Sequence, residues 1–340
     1  MKTLSIFLSC LLLPLAIQAQ KVITVDNRPN TGADYTSLSS AVGAATVGDT
    51  IQIHPSATSY GNISFNKRLI LVGLSHNPAN SKVGERAYLG TITLQGSAAN
   101  TLITGLELNI VNTSAVTDIS NVRIVNNKIN NYVVGNSGGN IDNWTIEGNI
   151  FVNAYVNSNG SEMWITKNNI FDNTNSYAIQ SYNDQCSFLN NIVISSSGNF
   201  ANNSVSPIVN NNVIILEGNT VDVKLNGTST IVFNNNLTYN TSALTVTALS
   251  GSNNLDNTDP GFSFAFGDIA DYYNNDYNVS GAAVNAGTDG TDLGVYGAMF
   301  NFDPQGRPDD WPYMTSLDIS NSSVPQGQNI DVTFTAEKKN

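Results

Sequence analysis

The sequence predicts an all-β chain wound as a parallel β-helix, with a capping helix at its N-terminal end and a β-hairpin appendage at its C-terminal end. Three observations predict it. A short block of aliphatic or aromatic residues, then asparagine, then apolar residues recurs through the middle of the chain. The blocks return at a nearly constant spacing. The stretches between them, such as Val156–Gly160 and Ser195–Asn199, carry no apolar pattern of helical period.

Taken in chain order, Met1–Gln20 has the three parts of a secretory signal peptide: Lys2, an apolar core from Leu4 to Ile17, and Ala19 for cleavage. The core is too short to span a bilayer, and no later run reaches the roughly 18 apolar residues of a membrane helix. A lipid anchor on Cys10 fits poorly, because Phe7-Leu8-Ser9 is a weak lipobox. The expectation is an exported protein in the medium, the periplasm or at the cell surface. The chain then divides into a β-helix with its cap over 21–302 and an appendage over 303–340, either a hairpin or the start of a small β module.

Composition narrows the partners. There are 26 acidic against 14 basic residues, a net charge of −12. With no Lys/Arg cluster to offset that, nucleic acid and anionic membranes are excluded as partners. Loss of Cys10 with the signal leaves Cys186 alone, so no intramolecular disulfide forms. Cys186 reads as a small core residue, and packing must hold the fold.

From Asp34 to Ala45 the residues Leu38, Ala41, Val42 and Ala45 fall on one face of a short helix. An alternating strand, Thr50–Ile53, and a second strand run, Lys67–Gly73, follow. A solenoid must shield its first coil, and a helix laid across that end does so.

The repeat itself has Asn127, Asn149, Asn169, Asn191, Asn212, Asn236 and Asn254 as markers, separated by 22, 20, 22, 21, 24 and 18 residues. An earlier copy carries Gly105 at the marker, 22 residues before Asn127. Such a period means coils that cannot bury their apolar faces alone and therefore stack at the ~4.8 Å strand spacing. Asparagine suits the corner twice: it tolerates left-handed backbone, and stacked copies can pass amide hydrogen bonds from coil to coil. A leucine-rich repeat shares the period but needs a leucine-dominated helical half, which is missing here.

The helix, the Gly48-Asp49-Thr50-Ile51 strand entry and Leu69-Ile70-Leu71-Val72-Gly73 resemble the start of pectin-lyase-like right-handed β-helix proteins. The stretch from Asp259-Pro260-Gly261-Phe262 through Val284-Asn285-Ala286-Gly287 to Asp292-Leu293-Gly294-Val295-Tyr296-Gly297 resembles the closing segment of secreted bacterial members. Gly281-Ala282-Ala283 stands where that segment usually has Ser-Pro-Ala. The resemblance covers 22–300 and implies a right-handed β-helix. The superfamily holds lyases, hydrolases, epimerases and non-enzymatic surface proteins, so the resemblance is specific for fold and weak for activity; the expectation is contact with extracellular polysaccharide, with turnover as lyase or glycoside hydrolase left open. The alternative is a non-catalytic adhesin or structural protein.

Candidate sites follow from counting back from each marker. Seven residues before it stand Asp142, Glu162 and Asp184 on successive coils. Carboxylates stacked one strand apart would raise one another's pKa for general acid and base work, or hold Ca²⁺; a solvated acidic edge is the plainer reading. Arg123, in an outward position, is a candidate lyase base, and Lys128, just past the turn, a contact for an acidic sugar. Glu147 and Lys167 read as a cross-strand ion pair. Trp144 and Trp164 share a lane that is mostly core. Tyr132, Tyr155, Tyr177 and Tyr182 fall in the irregular connections and are candidate platforms for sugar rings. His54 and His76 do not read as a metal pair.

Overall fold

The computed structural model describes residues 20–114, 118–136, 140–173, 176–264, 272–319, 323–324 and 326–338. Met1–Ala19, with nearly all of the expected signal peptide and Cys10, lie outside the described residues.

Two parallel sheets form a β-solenoid of about nine turns. The first sheet has eleven strands in one ascending order, from Val22–Val25 through Arg123–Val125, Thr145–Glu147, Ile165–Lys167 and Ser187–Leu189 to Gly251–Ser252. The second has thirteen. Its early coils use one long strand each, as in Glu107–Thr113 and Lys128–Val134. Later coils break that strand in two, as in Ile150–Val152 and Tyr155–Asn157, with Asn153 in the left-handed region between them. The second sheet therefore has two tiers, each stacked in register.

Stacking in register puts like residues on like. Trp144 lies on Trp164 with ring centres 4.6 Å apart and planes 7° from parallel, and Phe151 lies on Phe171 at 4.4 Å. All four are buried. Each indole also donates its N–H at 2.7 Å, Trp144 to Ile119 O and Trp164 to Ile141 O, so no polar atom is stranded. Cys186 is buried in the same lane, its Sγ donating to Ser161 O at 3.3 Å.

The cap is shorter than expected. The helix is Leu38–Ala44, because Ser37 caps it by accepting from Ser40 N and the residues before it are drawn into the first coil. There Asp34 accepts from both the N–H and the hydroxyl of Thr24, and Tyr35 bridges to Val25. Leu38, Ala41 and Val42 are buried against the core.

The marker asparagines line up along one corner. Oδ1 of Asn149 accepts from Asn127 N at 2.9 Å, and the same link runs through Asn169, Asn191, Asn212 and Asn236 to Asn254. The left-handed turn, however, belongs to the residue before each marker: Asn126, Gly148, Asn168, Asn190, Asn211, Asn235 and Asn253 all have positive φ. One asparagine turns the chain and its successor joins the ladder. The first copy obeys the same rule, so its marker place is taken by Leu106, whose N–H donates to Asn127 Oδ1, and Gly105 is the left-handed residue.

After the last coil the chain returns along the outside. A second apolar cluster joins outward-facing Ile150, Ile170, Ile192, Val213 and Leu237 to Tyr272, Tyr277, Leu293, Val295 and Phe302. The returning strand of chain meets the left-handed column in reverse order. Asn235 donates to Ala286 O, Asn211 to Thr288 Oγ1, Asn168 to Val295 O and Gly297 O, and Asn126 to Arg307 O. It ends beside the early coils, where Ser75 donates to Gln305 O. Beyond it, Tyr313–Ile319 and Val332–Glu337 pair as the expected antiparallel hairpin.

Candidate functional site

The three carboxylates of the acidic lane are differently placed. The carboxylate of Asp142 accepts from the backbone N–H of Glu162 at 2.7 Å, which turns it toward the next coil's main chain. Glu162 and Asp184 are exposed. Among the described residues no group of three Asp, Glu, His or Cys side chains is placed to hold a metal ion, and the exposure of Glu162 and Asp184 matches the plainer expectation of a solvated acidic edge. Side chains free to reach water gain more from solvation than from crowding like charges together.

Arg123 is exposed on the first sheet and faces a narrow crevice whose other wall is Pro308, Asp309, Asp310 and Trp311 of the returning chain. Lys128 is partly buried at the start of the second sheet, 3.9 Å from Glu107 Oε1. Glu107 also accepts from Arg86 Nε at 2.8 Å and Asn130 Nδ2 at 2.9 Å. Burial pushes the Glu107 carboxyl up, but Arg86 and Lys128 outweigh it, and the group lies below the usual carboxylate range. Glu147 and Lys167 form the expected cross-strand pair at 2.8 Å.

The tyrosines divide. Tyr182 is buried, its hydroxyl 2.6 Å from Thr166 Oγ1, so it offers no face to a ligand; the expectation of an exposed platform there is corrected. Its apolar ring is drawn into the core because Thr166 satisfies the hydroxyl. Tyr177 is half-exposed in a connection. Tyr132 and Tyr155 are not in connections but on strands, directly paired in the outer tier of the second sheet, with rings 5.5 Å apart and tilted by 34°. Burial, then the neighbouring Tyr132, raises the Tyr155 hydroxyl above its ordinary value.

Beside these rings runs a lane of amides that counting from the markers did not reveal. Asn112, Asn157, Gln180, Asn202 and Asn226, with Val134 between the first two, occupy one register position on six successive coils. Each amide is partly exposed, and Asn157 donates to Gln180 at 3.4 Å. The returning chain covers the inner tier of the sheet, through Ile150, Ile170 and Ile192, and among the described contacts leaves this outer tier open. Two aromatic faces beside planar donor–acceptor groups can hold a ligand with an apolar face and many hydroxyls. The signal was in the sequence as alternation within each strand, outward Asn157 against inward Val156, but only the register shows that the amides line up.

Fold and surface together define a parallel β-solenoid with an extended polar and aromatic outer face. No family model matches the chain, and no curated protein matches it. Among the described residues no helix is long and apolar enough to cross a membrane.

Proposed function

We propose that this is an exported right-handed β-helix protein of the pectin-lyase-like kind that binds extracellular polysaccharide along the outer tier of its second sheet. The observation that carries the reading is the Tyr132–Tyr155 pair beside the amide lane. Sugar rings would stack on the tyrosines while hydroxyls exchange hydrogen bonds with Asn157, Gln180 and Asn202. A polymer suits the geometry because the lane repeats at the strand spacing along the solenoid axis.

Electrophoresis of the purified protein in gels holding neutral or uronic-acid polysaccharides tests the reading. At least one polymer should retard the protein, and Tyr132→Ala with Tyr155→Ala should abolish the retardation while leaving the melting temperature within a few degrees. Equal mobility in every gel would refute it. Following the absorbance of unsaturated product with the same polymers separates a lyase from a binder.

The second reading, a non-catalytic adhesin or structural protein without sugar binding, is favoured by one feature. The hairpin leaves Met314, Ile330 and Phe334 53%, 58% and 64% exposed, which suits contact with another surface.

A further inference from the structure

A cleft of about 680 Å³ lies between the hairpin and the early coils, and none of its lining residues belongs to the tyrosine face. Its volume falls in the range of small-molecule sites. His54, Lys82 and Arg307 line it together with Leu74, Tyr313 and Met314. Basic groups gathered in one concavity run against a chain whose net charge is −12.

Each basic group is differently placed. The Arg307 guanidinium lies over the Tyr313 ring, 4.8 Å from its centre, and donates to Asn80 Oδ1 at 3.3 Å. Asp303 stands 3.6 Å from it and offsets part of its charge. Asp26 lies 3.9 Å from the His54 ring, and is itself bound by Arg28 at 2.6 Å. Among the described residues Lys82 has no carboxylate within ion-pair distance. One uncompensated positive charge beside a guanidinium with free donors fits a monoanion better than a phosphate dianion. The aliphatic and aromatic remainder fits an apolar body.

We infer that this cleft binds a small organic carboxylate, with its acidic group on Lys82 and Arg307 and its body on Leu74, Met314 and the Tyr313 ring. Such a group belongs equally to a carboxylated sugar and to a free apolar acid. The site stands apart from the polysaccharide face and does not depend on it.

Calorimetric titration of the whole chain with glucuronate, benzoate and glucose tests the inference. At least one of the two acids should bind and glucose should not. Glucuronate alone would assign an acidic sugar, and benzoate alone an apolar acid. Lys82→Gln should weaken binding by about tenfold, the loss of one charge-assisted contact. Ser316→Trp, which fills the cleft from the hairpin side, should abolish it, and Tyr155→Ala should leave it unchanged. The inference is overturned if neither acid binds, or if Lys82→Gln binds as the unaltered protein does.

Discussion

Two columns of small residues run side by side along one corner of the solenoid, largely of the same amino acid. The inner column, Asn127 to Asn254, is buried between Asn127 and Asn236, and each of its amides over that span faces other coils. The outer column, Asn126 to Asn253, sits one residue earlier, takes the left-handed turn and reaches outward to the returning chain. Asn169 shows the first duty: its Nδ2 donates to Ile146 O, Lys167 O and Asn191 Oδ1, while its Oδ1 accepts from Asn149 N. Asn168 shows the second, with φ of 55° and Nδ2 on Val295 O and Gly297 O. Position decides the role, because a turn of one residue points adjacent side chains to opposite sides of the same wall. The inner column joins coil to coil; the outer one joins the coils to the strap around them.

The comparison can be broken most severely from the inside. Asn169→Ala strands buried donors and acceptors on two neighbouring coils, and should cost about 3–5 kcal/mol in denaturant unfolding. Asn168→Ala should cost less, about 2–3 kcal/mol, from left-handed strain and two lost hydrogen bonds. Asn168→Gly sharpens the point. It relieves the strain but not the lost contacts, so it should recover roughly 1 kcal/mol in unfolding while leaving the 293–302 stretch more open to protease than in the unaltered protein.

Acid probes the far end of the strap. His76 is fully buried against Gly306 and Tyr273, and burial, with a smaller push from Lys128, lowers its pKa to about 3. The unfolded chain takes up that proton below about pH 6.5 while the folded protein does not. Stability should therefore fall with pH between 6.5 and 3, by about 1.4 kcal/mol for each pH unit from this group. In His76→Leu the melting temperature should fall less steeply over that window. The smallest effect belongs to the partly exposed Glu147–Lys167 pair, where a double-mutant cycle should return under about 1 kcal/mol.

What was legible in the sequence follows the range of the interactions. The period, the markers, the buried tryptophans and the final hairpin are written in local alternation and fixed spacing, and the structure has them where the sequence puts them. The division of labour within each Asn-Asn pair was not legible, because both residues are compatible with either role until the direction of the turn is known. Gly105 was misplaced by one residue for that reason. The path of the strap was also hidden: its contacts join residues from about 50 to over 200 positions apart and leave no periodic trace. Of the candidate ligand contacts, Tyr155 gained a neighbouring ring and an amide lane, whereas Tyr182 went inside, where its hydroxyl meets Thr166 across the core.

Everything rests on chain positions about one coil apart lying directly beside each other, and oxidative cross-linking reads that directly. Tyr132 and Tyr155 share a register position, so cysteines there fall within the roughly 4.4–6.8 Å Cα separation that a disulfide needs. The pair Tyr132→Cys and Tyr155→Cys should close quickly under mild oxidation, and Tyr132→Cys with Asn157→Cys, two residues out of register, should not. Equal closure of both pairs, or closure of the second alone, would contradict the stacking on which the ladder, the amide lane and the sugar face depend.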